Sequence, residues 1–167
     1  MLIVFSGLPG SGKTTVARAL AAQLGAAYLR IDSIEQALRN AQVLVGDVGR
    51  SGYDVANALA LGNLQLGNRV VVDGVNPVAE SREAWSAVAM AAGVMLLNVE
   101  LVCSDRAEHQ RRVQGRVSDV PGLKPPTWAS VVAHDYQAWA EQPLCIDTAA
   151  LSADEAVQLI CRQLFPG

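Results

Sequence analysis

The chain has 167 residues, which fits one domain able to bury roughly two thirds of its unfolded surface and leaves no length for a second that could stand alone. With 51% hydrophobic and 17% charged residues it is not a disordered segment, and a net charge of -3 offers no broad basic surface to duplex nucleic acid or an anionic membrane. Basic groups therefore matter locally: Lys13 and Lys124 are the only lysines, against eleven arginines.

In chain order, Leu2–Phe5 is a short apolar run with no basic residue before it, too brief for a signal sequence or a membrane span, so the expected compartment is the cytoplasm. It reads as a strand buried on both faces. Thr14–Leu24 then carries apolar residues at helical spacing. A second strand is expected over Ala27–Ile31, and Ser33 with Gln36 looks like a capping pair opening the next helix. Asp54–Leu66 is helical, with Gly67 as its stop; Arg69–Asp73 is a strand; Ala79–Ala92 is a helix ending at Gly93. Val94–Val102 and Pro143–Asp147 complete five candidate strands. Asp105 with Glu108 and Ser152 with Glu155 look like further caps, and Val117–Thr127, rich in Pro and Gly, reads as a long loop. Short apolar runs alternating with helices, without repeat or linker, indicate a β/α domain with a parallel sheet.

Between the first strand and the first helix lies Gly7-Leu8-Pro9-Gly10-Ser11-Gly12-Lys13-Thr14-Thr15, which matches GxxxxGK[ST] in the strand-to-helix context that this phosphate-binding loop requires. Glycines allow consecutive N–H groups to face an anion, and the helix adds its positive end. Gly7, Pro9, Gly10, Ser11, Gly12, Lys13, Thr14 and Thr15 are the candidate nucleotide contacts, with Lys13 reaching the β/γ oxygens and Thr14 offering its hydroxyl to Mg²⁺. Asp73, ending an apolar strand, is the Walker-B-like candidate for the metal shell; Asp147, at the end of another, competes with it. Asp32 follows the second strand at the sheet edge where ligands bind, and is either the base that takes the acceptor's proton or a cap on the following helix.

Four arginines fall within Asp105–Arg116. The four-residue spacing of Arg112 and Arg116 places them on one face of a single helix, able to neutralise charge on a triphosphate, or else to form an ordinary solvated helix end. His109 reads as an exposed helix residue, and His134 has no metal-binding partner nearby in sequence. Cys103, Cys145 and Cys161 lack CxxC spacing and are expected to be reduced, mostly buried thiols. Trp85, Trp128 and Trp139 lie in helical patterns and read as packing residues. Tyr53, Asn76 and the 117–127 loop are the position-based candidates for an acceptor pocket.

The motifs GLPGSGKTT, RIDSI (Arg30–Ile34), GNRVVVDGVNP (Gly67–Pro77), the arginine segment through Arg116 and DVPGLKPPTW (Asp119–Trp128) together resemble the small AAA-type predicted kinases related to chloramphenicol phosphotransferase, gluconate kinase, zeta-toxin kinases and the 5′-kinase domain of polynucleotide kinase. That resemblance covers nearly the whole chain. It implies a three-layer αβα P-loop NTPase fold with a five-stranded parallel sheet in order 2-3-1-4-5, an ATP-Mg²⁺ site on the P-loop, Asp32 as base, and a short lid bearing Arg112 and Arg116. The implied activity is transfer of the γ-phosphoryl group of ATP to a hydroxyl of a small molecule by a monomer or homodimer, with neither nucleic acid nor membrane as partner. Alternatives are an ATP-binding or hydrolysing regulatory module without an acceptor, and a polynucleotide 5′-hydroxyl kinase. The related polynucleotide kinases carry an arginine three residues after the base, where this chain has Glu35. A GTPase would want an [NT]KxD motif, and neither lysine sits in one.

Overall fold

The computed structural model describes residues 1–42 and 46–166. Strands β1 (Leu2–Ser6), β2 (Ala27–Arg30), β3 (Val70–Asp73), β4 (Leu96–Val102) and β5 (Leu144–Asp147) pair in parallel in the order β2-β3-β1-β4-β5. The central strand β1 is buried along its whole length, and alternation of side chains across it divides the interior in two. Ile3 and Phe5, with Val71, Val99 and Leu101, pack against α1 (Lys13–Leu24) and α7 (Ala153–Leu164). Leu2 and Val4, with Val70 and Val72, pack against α3 (Ser51–Gln65) and α4 (Ala79–Ala92) through Ala60, Leu64, Trp85 and Val88. This is the expected αβα layering. Each large apolar side chain so buried stabilises the fold by about 1.5–3 kcal/mol, which outweighs the weak intrinsic preferences of the short strands.

The remaining helices are α2 (Ile31–Ala41), α5 (Arg106–Gln114) and α6 (Trp128–Val132). Because all strands are parallel, their carboxyl ends meet at one edge, bringing the turns after β1, β2, β3 and β4 together.

Several local expectations change. β2 ends at Arg30, and α2 begins at once on Ile31, so Ser33 is not its cap; Arg30 holds the N-cap position without a side-chain cap, and Asp32 lies inside the first turn. Here the parallel pairing of Arg30 with Asp73 extends the strand to the helix start and leaves no separate capping residue. Ser152 and Glu155 do form a reciprocal capping box. Asp105 caps α5 by accepting from the N–H groups of Ala107 and Glu108, but Glu108 turns its carboxylate to Arg111 and Arg112. Helix α5 ends at Gln114, and Arg116 lies beyond it, so the two arginines do not share one helix face. A glycine at 115, a poor helix former, marks the break. The 117–127 segment contains no helix or strand, and α6 follows it. Trp139 lies in a stretch with neither helix nor strand, with the Arg82 guanidinium 4.1 Å from its ring centre. The cysteines are free, but none is fully buried and Cys145 is exposed.

Candidate active site

The loop after β1 turns back on itself at two glycines with positive φ that closely approach their neighbours. Gly7 (φ 134°) donates its N–H to Val75 O at 3.2 Å, and any side chain there would run into the Leu101 carbonyl. Gly10 (φ 85°) packs so closely against α5 that a Cβ would meet Val113 and His109. The loop opens into α1, whose first residue, Lys13, is 8% exposed and donates from Nζ to Leu8 O at 3.0 Å. Burial pushes the Lys13 ammonium below its ordinary value, while Asp73 and then Asp32 oppose that shift.

Thr14 Oγ1 donates to Asp73 Oδ2 at 2.7 Å, and the Tyr28 hydroxyl donates to the same oxygen at 2.7 Å. Asp73 is 3% exposed at the end of β3. Its carboxylate and the Thr14 hydroxyl are oxygen donors of the kind that suits Mg²⁺ beside phosphate oxygens and water. Burial raises the Tyr28 phenol well above its usual value, and the neighbouring Asp73 charge raises it further, so it remains a donor. Asp147 is committed elsewhere: it accepts from Ser104 and from the Ala149 N–H at the turn after β5.

Asp32, 38% exposed in its side chain, faces Arg30 Nη2 at 3.5 Å and Arg116 Nη2 at 3.6 Å. Its carboxylate is not a cap, although a place in the first turn lets it interact favourably with the helix dipole. Arg112 donates from Nε to Glu108 Oε1 at 2.8 Å, from Nη1 to Thr148 Oγ1 at 2.8 Å, and from Nη2 to Thr148 O at 3.0 Å. Thr148 Oγ1 in turn donates to Ser11 O at 2.9 Å, lacing the loop, α5 and the β5–α7 turn together.

These elements enclose a cavity of about 360 Å³ lined by Lys13, Arg18, Arg30, Arg112 and Arg116, with Asp119 as its one carboxylate and Thr14 and Thr15 on its floor. Five cations facing one anion suit a polyphosphate. A second hollow of about 270 Å³ adjoins it on the far side of Arg112, against Thr15, Thr148 and Leu151. A third, about 240 Å³, lies between the starts of α3 and α4 against Tyr53, Asn57, Pro77 and Val78. Asn76 is not a pocket residue. Fully buried, it donates to Phe5 O and accepts from Trp85 Nε1, so its amide is spent inside the fold. Burial pushes the Tyr53 phenol up to about 12, and its oxygen accepts the Asn76 N–H at 3.1 Å. Glu35, whose carboxyl burial pushes up against the opposing charge of Arg39, packs on Gly52.

Arg18, Tyr28, Arg30 and Thr148 escaped the sequence reading, and His109, expected to be an exposed helix residue, is buried. His109 is 9% exposed, and its Nε2 lies 2.8 Å from Pro9 O, to which it donates; its ring meets Trp128 edge-on at 5.2 Å. One signal was available, because His109 and Val113 are four apart on the buried side of α5. The described residues contain no helix long and apolar enough to cross a membrane.

Solved structures with this architecture include APS kinase of Mycobacterium tuberculosis in complex with AMPPNP and APS, at 25% identity and a TM-score of 0.73 over 98% of this chain and 96% of that one. A sugar kinase from Janibacter sp. HTCC2649 matches at 16% identity and a TM-score of 0.69, over 98% and 93% of the two chains. A gluconokinase from Sinorhizobium meliloti 1021 matches at 21% and 0.61, over 93% and 86%. No protein of curated function matches the sequence significantly. The sequence model of the AAA domain family covers residues 2–143, so with its P-loop, five-stranded parallel sheet and cationic pocket the chain belongs to that family.

Proposed function

We propose that this domain transfers the γ-phosphoryl group of ATP-Mg²⁺ to a hydroxyl of a small molecule in the cytoplasm. The observation that carries the reading is one five-cation cavity lined by the P-loop lysine and Thr14, with Asp73 bonded to Thr14 and Asp32 facing two of the lining arginines from the adjoining sheet edge. Kinases of small molecules on the same fold support it.

In this reading the P-loop N–H groups and Lys13 hold the β- and γ-phosphates, while the hollow beside Arg112 and Thr148 takes the base. Thr14 and Asp73 would hold Mg²⁺, which would supply charge neutralisation at the phosphates. Asp32 accepts the proton of the acceptor hydroxyl as its oxygen attacks the γ-phosphorus; the bond to the bridging oxygen breaks, and ADP leaves. Arg112 and Arg116 neutralise charge spreading over the equatorial oxygens. The hollow beside Tyr53 lies on the Asp32 side of the edge and suits part of a compact acceptor.

Labelled γ-phosphate from ATP, offered to a panel of sugars, nucleosides, aminoglycosides and other hydroxyl compounds, is expected to appear on at least one. Stabilisation by ATP with no transfer to any of them would leave a regulatory nucleotide-binding module instead.

Asp73→Asn is expected to move the Mg²⁺ activation curve to higher concentration while ATP binding without metal stays close to wild type. Tyr28 and Thr14 can still donate to the remaining amide oxygen, so the local structure should survive. An unchanged activation curve would remove Asp73 from the metal shell.

A further inference from the structure

The mechanism above leaves unused the most buried guanidinium at the site. Arg30 is 4% exposed on the last position of β2, and its side chain is tied to three separate carboxylates. Nη1 donates to Asp119 Oδ1 at 2.8 Å, Nη2 lies 3.5 Å from Asp32 Oδ2, and Nε lies 3.8 Å from Asp73 Oδ2 with no hydrogen-bond partner of its own. Asp119 lies three residues beyond Arg116 and is bound from its other side by Arg18 Nη2 at 2.6 Å. Arg116 in turn reaches Asp32 at 3.6 Å. The charges run Arg18, Asp119, Arg30, Asp32, Arg116, from the P-loop helix through the strand end to the segment after α5.

We propose that Arg30 is a positioning residue for phosphoryl transfer: through Asp119 it seats the Arg116-bearing segment over the phosphate cavity, and on the same guanidinium it orients Asp32. The inference rests on the reading of Asp32 as base. A planar fork is suited to the task, because one guanidinium can address carboxylates in different directions without changing rotamer, whereas an ammonium acts as a single point charge. Arg30 is locked by the strand pairing of β2 with β3, so whatever it holds is referred to the rigid sheet. Hydrogen bonds from Arg30 hold the Asp119 carboxyl down to about 2, so this latch persists across neutral and mildly acid pH. Sign follows from the depressed value: the bond is fully present above the ordinary carboxylate range and is lost as pH falls towards about 2.

The test uses the full chain with Arg30→Met, which keeps an unbranched stem in the buried slot, and Asp119→Asn, which alters a half-exposed residue and so preserves the fold if Arg30→Met does not. Three quantities are read for each: stabilisation by ATP, transfer kinetics, and tryptic cleavage after Arg116 in the absence of nucleotide. The expected result is kcat lowered roughly 10²-fold in both variants, the cost of misplaced catalytic groups, with ATP stabilisation like wild type and KM for ATP within about threefold in Asp119→Asn, which removes no cation from the cavity. Cleavage after Arg116, slow in the wild type, becomes fast in both variants at unchanged melting temperature for Asp119→Asn. A purely structural Asp119 would move the melting temperature and leave kcat per folded molecule unchanged. Wild-type kcat, or wild-type protection after Arg116, in well-folded Asp119→Asn overturns the proposal. If the wild-type chain is stabilised by ATP but phosphorylates nothing, the transfer reading has failed on its own; cleavage after Arg116 then still decides whether Arg30 and Asp119 seat the segment.

Discussion

Lys13→Ala is expected to fold as the wild type does and to lose on the order of 10²–10³-fold in turnover, the usual loss when one preorganised charge is removed from a developing anion. The fold should be indifferent because burial holds the Lys13 ammonium at a cost, as its lowered pKa records, and its one hydrogen bond is to the nearby Leu8 carbonyl. Since the folded state disfavours the protonated lysine, this group's contribution to stability rises as pH climbs towards its unfolded value; the alanine variant loses that dependence. Thermal unfolding with and without ATP, at several pH values, checks both statements. Full ATP protection together with wild-type turnover would sink the P-loop assignment.

Asp32→Asn carries the other large expectation, a loss of transfer of roughly 10²–10⁴-fold with ATP-Mg²⁺ binding retained, the span associated with removing a general base. The geometry sharpens the test, because Asp32 does not cap α2, and its only described partners are guanidinium groups at 3.5 Å and 3.6 Å. Such long, partly exposed pairs contribute at most about 1 kcal/mol, so a large rate effect cannot be passed off as unfolding. Near-normal transfer by the asparagine variant would end the base assignment and leave the nucleotide site standing.

Much of the fold was legible because its signals are local. Buried parallel strands are continuous apolar runs, as in Leu2–Phe5 and Val70–Val72, and the helix stop Gly93 adopts the left-handed conformation that glycine favours. The P-loop signature was legible for the same reason: it lies in nine consecutive residues running from the end of β1 into α1. The start of α2 and the end of α5 were misjudged because they depend on neighbours in space. Arg30 was absent from the candidates, since its motif pointed to Asp32 and its decisive partner Asp119 is 89 residues away.

The sequence by itself determined which chemistry was possible: a phosphate nest, a lysine, a hydroxyl for a metal, and carboxylates at strand ends, each encoded within a few residues. Only the tertiary structure decided which carboxylate meets the loop and which does not. Parallel pairing of β1 with β3 sets Asp73 level with Phe5, two residues before Gly7, and lets Thr14 and Tyr28 converge on one of its oxygens, whereas Asp147 ends the outer strand β5 and closes its own turn. Strand order is a non-local property, fixed by how two apolar layers cover one sheet, and it separates two aspartates that look alike in the chain.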